Sequence, residues 1–124
     1  LPENYEAHLD AFKFIEDVPV DWDDSKIINA EPGDYITIAR KEKGKENWYL
    51  GSITDETARN FKINLNFLDK DKSYTATIYE DAKDGDWFKN PMAYHIYEKT
   101  VKHGDILDIN LVPGGGTAVS IKVK

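Results

Sequence analysis

The sequence predicts an all-β fold: an antiparallel two-sheet β-sandwich of seven or eight strands with Greek-key-like connections, preceded by one N-terminal helix. Three observations carry this expectation. Short runs rich in β-branched and aromatic residues recur along the chain, and Gly, Pro, Asp and Asn clusters separate them. After residue 33 no segment of helical period lies between the runs, which is the pattern of packed antiparallel sheets.

The helix is expected over Leu1–Glu16. Pro2 suits a first turn, Glu3 and Glu6 favour the positive end of the helix dipole, and no β-branched residue occurs before Ile15. Tyr5, Leu9 and Phe12 recur at i, i+4 and i+7 and form one apolar stripe, with Phe14 and Ile15 partly off it. One face could therefore cover the β-domain while another meets a different neighbour. Asp17–Gly33 reads as a connector, because Pro19 and Pro32 break regular structure and Asp21, Asp23, Asp24 and Ser25 mark turns. Within it, Ile27 and Ile28 fit either a short edge strand or a loop anchor.

A hairpin follows, Asp34–Lys41 and Asn47–Thr54, joined by the charged turn Lys-Glu-Lys-Gly-Lys-Glu. Ile36 and Ile38 share one side of its first strand, with Tyr35, Thr37 and Ala39 on the other. In the second strand Trp48 and Leu50 alternate with Tyr49 and Ile53, so both sides are apolar and a central, doubly covered strand is expected. From Ala58 to Leu68 the alternation is clean, with Phe61, Ile63, Leu65 and Phe67 inward. Ser73–Asp81 is the next strand, followed by a polar loop from Ala82 to Pro91 around Trp87 and Phe88. The last three strands run over Tyr94–Lys102, Asp105–Val112 and Thr117–Val123, with turns at His103-Gly104 and at Pro113–Gly116.

Composition narrows the function. A chain of 124 residues with 40% hydrophobic and 31% charged residues fits one globular domain. Its net charge of −7, from 23 acids against 16 bases, argues against a nucleic-acid backbone and against anionic lipid as partners. Cysteine is absent, so disulfides and thiolate metal sites are excluded. No apolar run approaches the ~20 residues of a membrane-spanning helix. The chain opens at Leu1, not at a methionine, and is expected to be cut from a longer protein.

The residues that could do chemistry each have a plainer role. Asp21, Asp23 and Asp24 form the densest acid cluster, but adjacent loop acids are turn formers and caps. Glu80–Asp86 brushes against a calcium loop, yet Ala82 stands where an acid or amide is required and Pro91 falls on the twelfth position. His8, His95 and His103 lack metal-ligand spacing. Gly114–Gly116 lacks the Lys-Ser/Thr ending of a phosphate cradle and reads as a flexible turn. Tryptophans stack on sugar rings, so Trp22 and Trp87, both in expected loops, are the candidates for carbohydrate contact; Trp48, inside a strand, reads as core packing.

Taken together in order, Leu1–Tyr5, Phe14–Pro19, Asp21–Ser25, Gly33–Ile36, Ile38–Arg40, Asn47–Thr54, Tyr74–Tyr79 and Pro113–Gly116 resemble the C-terminal domain of glycoside hydrolase family 97. The resemblance implies a parent exo-α-glycosidase, an α-glucosidase or α-galactosidase, with an N-terminal sandwich and a central (β/α)8 barrel. It places residues 1–32 as the last barrel helix and connector, and residues 33–124 as the C-terminal β-sandwich. Catalytic carboxylates and calcium belong to the parent outside this region, so no catalytic residue, metal ligand or cofactor is expected here. The implied role is a non-catalytic accessory domain whose partner is the barrel of the same chain, met through Tyr5, Leu9, Phe12 and Trp48 across a contiguous apolar patch. The alternative is a carbohydrate-binding module that holds an α-glucan or α-galactoside near the active site. The resemblance also implies a periplasmic or secreted protein.

Overall fold

The computed structural model describes residues 22–81 and 94–124. The expected helix with Tyr5, Leu9 and Phe12, and the loop with Trp87, lie outside the described residues. The described chain forms strands β1 (Trp22–Glu31), β2 (Tyr35–Glu42), β3 (Trp48–Thr54), β4 (Arg59–Asn64), β5 (Ser73–Asp81), β6 (Tyr94–Lys102), β7 (Ile106–Leu111) and β8 (Gly116–Val123). They make a six-stranded sheet, β1-β2-β3-β8-β5-β6, and a two-stranded sheet, β4-β7, with every pairing antiparallel. The chain leaves the large sheet after β3 and again after β6, and β8 returns to fill the slot between β3 and β5.

Alternation decides what is buried. Ala39, Leu50, Val119 and Ile78 stand in one register row across β2, β3, β8 and β5. Trp48, Ile121 and Ala76 form the next row. These side chains face Ile63 of β4 and Leu107, Ile109 and Leu111 of β7, and together they make the core. Each large aliphatic side chain removed from water here is worth about 1.5–3 kcal/mol. β3 is buried at every position except Ile53, which lies on the face away from β4 and β7.

Two expectations change. Most of the stretch read as a connector is strand β1, hydrogen-bonded along β2 from Trp22 to Glu31. Its register slips between Trp22 and Asp24 and between Ile27 and Asn29. Bulges of this kind absorb residues that do not fit a regular ladder, and an edge strand tolerates them because one side pairs with nothing. The strand expected over Ala58–Leu68 stops at Asn64. The Leu65 carbonyl accepts the Gly104 and Leu68 amides (3.2 and 3.3 Å), which turns the chain. Leu65 and Leu68 nevertheless stay buried, so their apolar character serves the core from a turn.

Candidate functional site

Register gathers polar side chains at one end of the interior. Thr37, Ser52, Thr117, Glu80 and His95 occupy a single row across β2, β3, β8, β5 and β6. The Thr37 and Ser52 hydroxyls bond each other at 2.7 Å, and the Thr117 hydroxyl donates to the Asn110 carbonyl at 2.8 Å. Glu80, 7% exposed, accepts from the Tyr97 hydroxyl at 3.3 Å and has His95 Nδ1 at 3.8 Å. Burial and then the Glu80 charge push the Tyr97 phenol above its ordinary range. A cleft of about 500 Å³ opens at this end, lined in part by Arg59, Asn60, Glu80, Asp81, Asn110 and Pro113.

The cation at its rim is engaged. Arg59 Nε donates to Thr54 Oγ1 at 2.9 Å, and Nη2 reaches Asp55 Oδ1 at 3.5 Å. The guanidinium lies 4.7 Å over the Tyr35 ring, which in turn is 4.9 Å from the Phe61 ring. The Thr57 backbone N–H, with help from Arg59, holds the Asp55 carboxyl below the usual carboxylate range. These groups lock the β3–β4 turn against β2.

Glycosidic cleavage needs two carboxyl groups facing each other across a sugar. Glu80 and Asp81 do not provide this, because successive residues of a strand point to opposite faces. Asp81 Oδ2 accepts the Gly116 amide at 2.8 Å and sits against Gly115. The acidic stretch that resembled a calcium loop thus begins as the last two residues of β5, and residues 82–86 lie outside the described residues. Among the described residues, no group of three or more His, Asp or Glu is placed to hold a metal ion. The three glycines after Pro113 have distinct roles: Gly114 takes φ +68°, Gly115 is confined by its neighbours, and Gly116 opens β8.

The outward face of the small sheet carries two polar pairs, Asn60 with Asn110 at 2.7 Å and Lys62 with Asp108 at 2.7 Å, and the exposed Ile106 opposite Asn64. On the large sheet the face turned away from the core carries Ile27, Ile36, Ile38, Ile53, Tyr79 and Ile96 towards one end, and Arg40, Glu42, Ser120 and the Thr77–Glu98 pair (3.3 Å) towards the other. Ile27, Ile38, Gly51, Ala118, Tyr79 and Ile96 fall in one row across all six strands. Ile27 is 68% and Ile96 61% exposed, and no described strand packs over this face. Ile36 and Ile53 also line a second cleft, of about 480 Å³, beside Ala30, Pro32 and Tyr35. The sequence signal for the face was the Ile36/Ile38 alternation; what it lacked was which parity turned inward.

Trp22 is the first residue of β1, on the sheet edge and not in a loop. Trp87, Tyr5, Leu9 and Phe12 lie outside the described residues. Trp48 is 5% exposed and its ring meets Phe67 at 4.6 Å, so it points into the core and away from the apolar outer face.

A family model described as glycosyl-hydrolase 97 C-terminal, oligomerisation, matches residues 21–122. The chain belongs to the glycosyl-hydrolase 97 C-terminal family. This family 97 C-terminal domain is 36% identical over 121 residues to a retaining alpha-galactosidase of Bacteroides thetaiotaomicron, covering 98% of the chain and 18% of that protein. A family 97 enzyme of Pseudoalteromonas sp. strain K8, solved in complex with acarbose, is 43% identical with a TM-score of 0.82. The match covers 100% of this chain and 20% of that one. A beta-arabinopyranosidase structure shares the fold at a TM-score of 0.65 and 23% identity, over 87% of this chain and 15% of its own. The domain thus spans about a fifth of the length of the family 97 proteins it matches.

Proposed function

We propose that this domain is the non-catalytic C-terminal accessory domain of a family 97 exo-α-glycosidase, an α-glucosidase or α-galactosidase. It docks on the catalytic (β/α)8 barrel of the same polypeptide through the outer face of its six-stranded sheet and stabilises that barrel. The single observation that carries this reading is the row Ile27, Ile38, Gly51, Ala118, Tyr79 and Ile96 across the outer face of the large sheet, apolar from edge to edge and strongly exposed at both ends. An exposed apolar band that crosses a whole sheet marks a surface that meets a neighbour. Glu80 and Asp81, the buried carboxylates of the cleft, point apart, which also favours a structural role over catalysis. Calcium and the catalytic carboxylates belong to the parent outside this domain, and the parent works in the periplasm or outside the cell.

The test uses the parent polypeptide. Ile27→Glu with Ile96→Glu is expected to lower its thermal midpoint and to shorten its active lifetime on nitrophenyl α-glycosides when warmed. Asn64→Gln, on the outward face of β4, is expected to change neither. A parent indifferent to the isoleucine pair overturns the reading. Calorimetric titration of the domain with maltooligosaccharides and galactosides is expected to give no saturable heat; saturable heat would make it a binding module instead.

A further inference from the structure

We infer that the outer edge of β6 pairs antiparallel with the same edge of a second copy, with Tyr97 of each copy beside the two-fold axis, so that two six-stranded sheets join into one. The edge is open and regular. Among the described residues nothing pairs with β6 on the side away from β5, and His95–Thr100 are all exposed. β6 follows β5 from Tyr94 to Lys102 without a register shift, whereas β1, at the other edge of the sheet, carries two bulges of the kind that blunt an edge. The Lys124 amide donates to the Ser73 carbonyl at 3.0 Å, so alternate residues of β5 from Ser73 to Asp81 turn their backbone groups to β8, and those between turn theirs to β6. The β6 partners of the latter are Val101, Lys99, Tyr97 and His95. The amides and carbonyls of Tyr94, Ile96, Glu98, Thr100 and Lys102 therefore point off the sheet. Lys102 is already closed: its amide donates to Asp105 Oδ2 at 2.9 Å, and its carbonyl accepts the Asp105 amide at 3.1 Å. Tyr94, Ile96, Glu98 and Thr100 remain as an open row of donors and acceptors.

This row is complementary to itself in one register. Opposed residues of an antiparallel pair share a face, and a two-fold contact repeats each pairing in both directions. Centred on Tyr97, the strand sets Tyr94 opposite Thr100 and Ile96 opposite Glu98, so every open residue meets an open residue and each pair exchanges two hydrogen bonds. Centred on Glu98, it sets Glu98 against Glu98 and Tyr94 against the closed Lys102. Centred on Lys99, it sets Lys99 against Lys99 and Ile96 against Lys102; centred on Ile96, it carries Thr100 past the end of the strand. In the Tyr97 register His95 falls opposite Lys99, with the Glu80 carboxylate 3.8 Å from the imidazole. A second copy is the occupant because the row answers itself and because the family is described by oligomerisation. The contact uses backbone groups at the rim and leaves the outer face to the neighbour proposed above. Strand twist of roughly 20–25° per step splays the two outer faces apart.

Because the 124-residue chain has no cysteine, introduced thiols report the register. Under mild oxidation Tyr97→Cys is expected to give a disulfide-linked dimer, since opposed residues of a non-hydrogen-bonded pair stand about 4.5 Å apart at Cα, within disulfide reach. Lys99→Cys, about 14 Å from its equivalent in this register, is expected to stay unlinked. Sedimentation velocity over a dilution series is expected to show a monomer–dimer equilibrium whose dissociation constant rises about tenfold or more for Glu98→Pro. That substitution removes one outward amide from each copy and leaves the rungs to β5 in place. A chain that is monomeric at every concentration overturns the inference. So does a dimer that survives Glu98→Pro unchanged, or linkage through Lys99→Cys in place of Tyr97→Cys. The docking reading stands or falls separately, on the parent with Ile27→Glu and Ile96→Glu.

Discussion

Gly115→Ala tests the packing of the β7–β8 turn with a single methyl group. A Cβ at Gly115 would stand 2.6 Å from Val112 Cγ2, 2.7 Å from Asp81 Oδ2 and 3.0 Å from the Val112 carbonyl oxygen. Ordinary contact begins near 3.4 Å, so all three neighbours must give. None gives freely. Asp81 Oδ2 holds the Gly116 amide at 2.8 Å, and the Val112 carbonyl already accepts the Gly115 amide at 2.8 Å. Overpacking costs about 1–3 kcal/mol, and loosening a charged hydrogen bond adds about 1.5–3 kcal/mol when it is lost. Partial relief of both gives an expected loss of about 2–4 kcal/mol, or a fall of roughly 8–16 °C in Tm for a domain of this size. Urea unfolding of the 124-residue chain measures it. Repeating the substitution on Val112→Ala removes the worst contact and should shrink the loss by about 1 kcal/mol or more. A Gly115→Ala chain within about 0.5 kcal/mol of the parent would refute the reasoning, since that is the range of an indifferent surface change.

Three further outcomes are expected. Trp48→Ala removes a ring that packs on Phe67 in the core and should cost about 3–5 kcal/mol in the same urea assay. Thr37→Val alone strands the buried Ser52 hydroxyl and should cost about 1–3 kcal/mol, whereas Thr37→Val with Ser52→Ala should recover most of that loss. At Glu42 burial pushes the carboxyl up, but Lys45, Asn47 and Tyr49 outweigh it and hold the group below its ordinary value. A carboxyl depressed in the folded state adds stability above its unfolded value, and that stability is lost as pH falls through the folded value. Urea midpoints taken from about pH 6 down to about pH 2.5 should therefore fall less steeply for Glu42→Gln.

The sequence reading succeeded where local pattern and burial agree. Phe61 and Ile63 alternate with exposed Lys62 and Asn64, and Tyr74, Ala76 and Ile78 face the core while Thr75 and Thr77 do not. β1 was read as a connector because Asp23, Asp24 and Ser25 carry turn chemistry; two bulges and a long pairing with β2 override it, and neither is visible locally. Ile36 and Ile38 were legible as one side of a strand, but only the arrival of β4 and β7 on the opposite side makes theirs the outer one. The polar row from Thr37 to His95 is equally non-local, since its members come from five strands. Gly115 looked like a source of turn flexibility and is instead a matter of space.

Hydroxyl-radical footprinting of the parent enzyme beside the 124-residue chain tests the docking face most directly. The expected result is strong oxidation of Ile27 and Ile96 in the chain, protection of both in the parent, and equal oxidation of Ile106 on the small sheet in each. Equal oxidation of Ile27 and Ile96 in the two samples would show that no neighbour covers the face, and the accessory role built on it would fall.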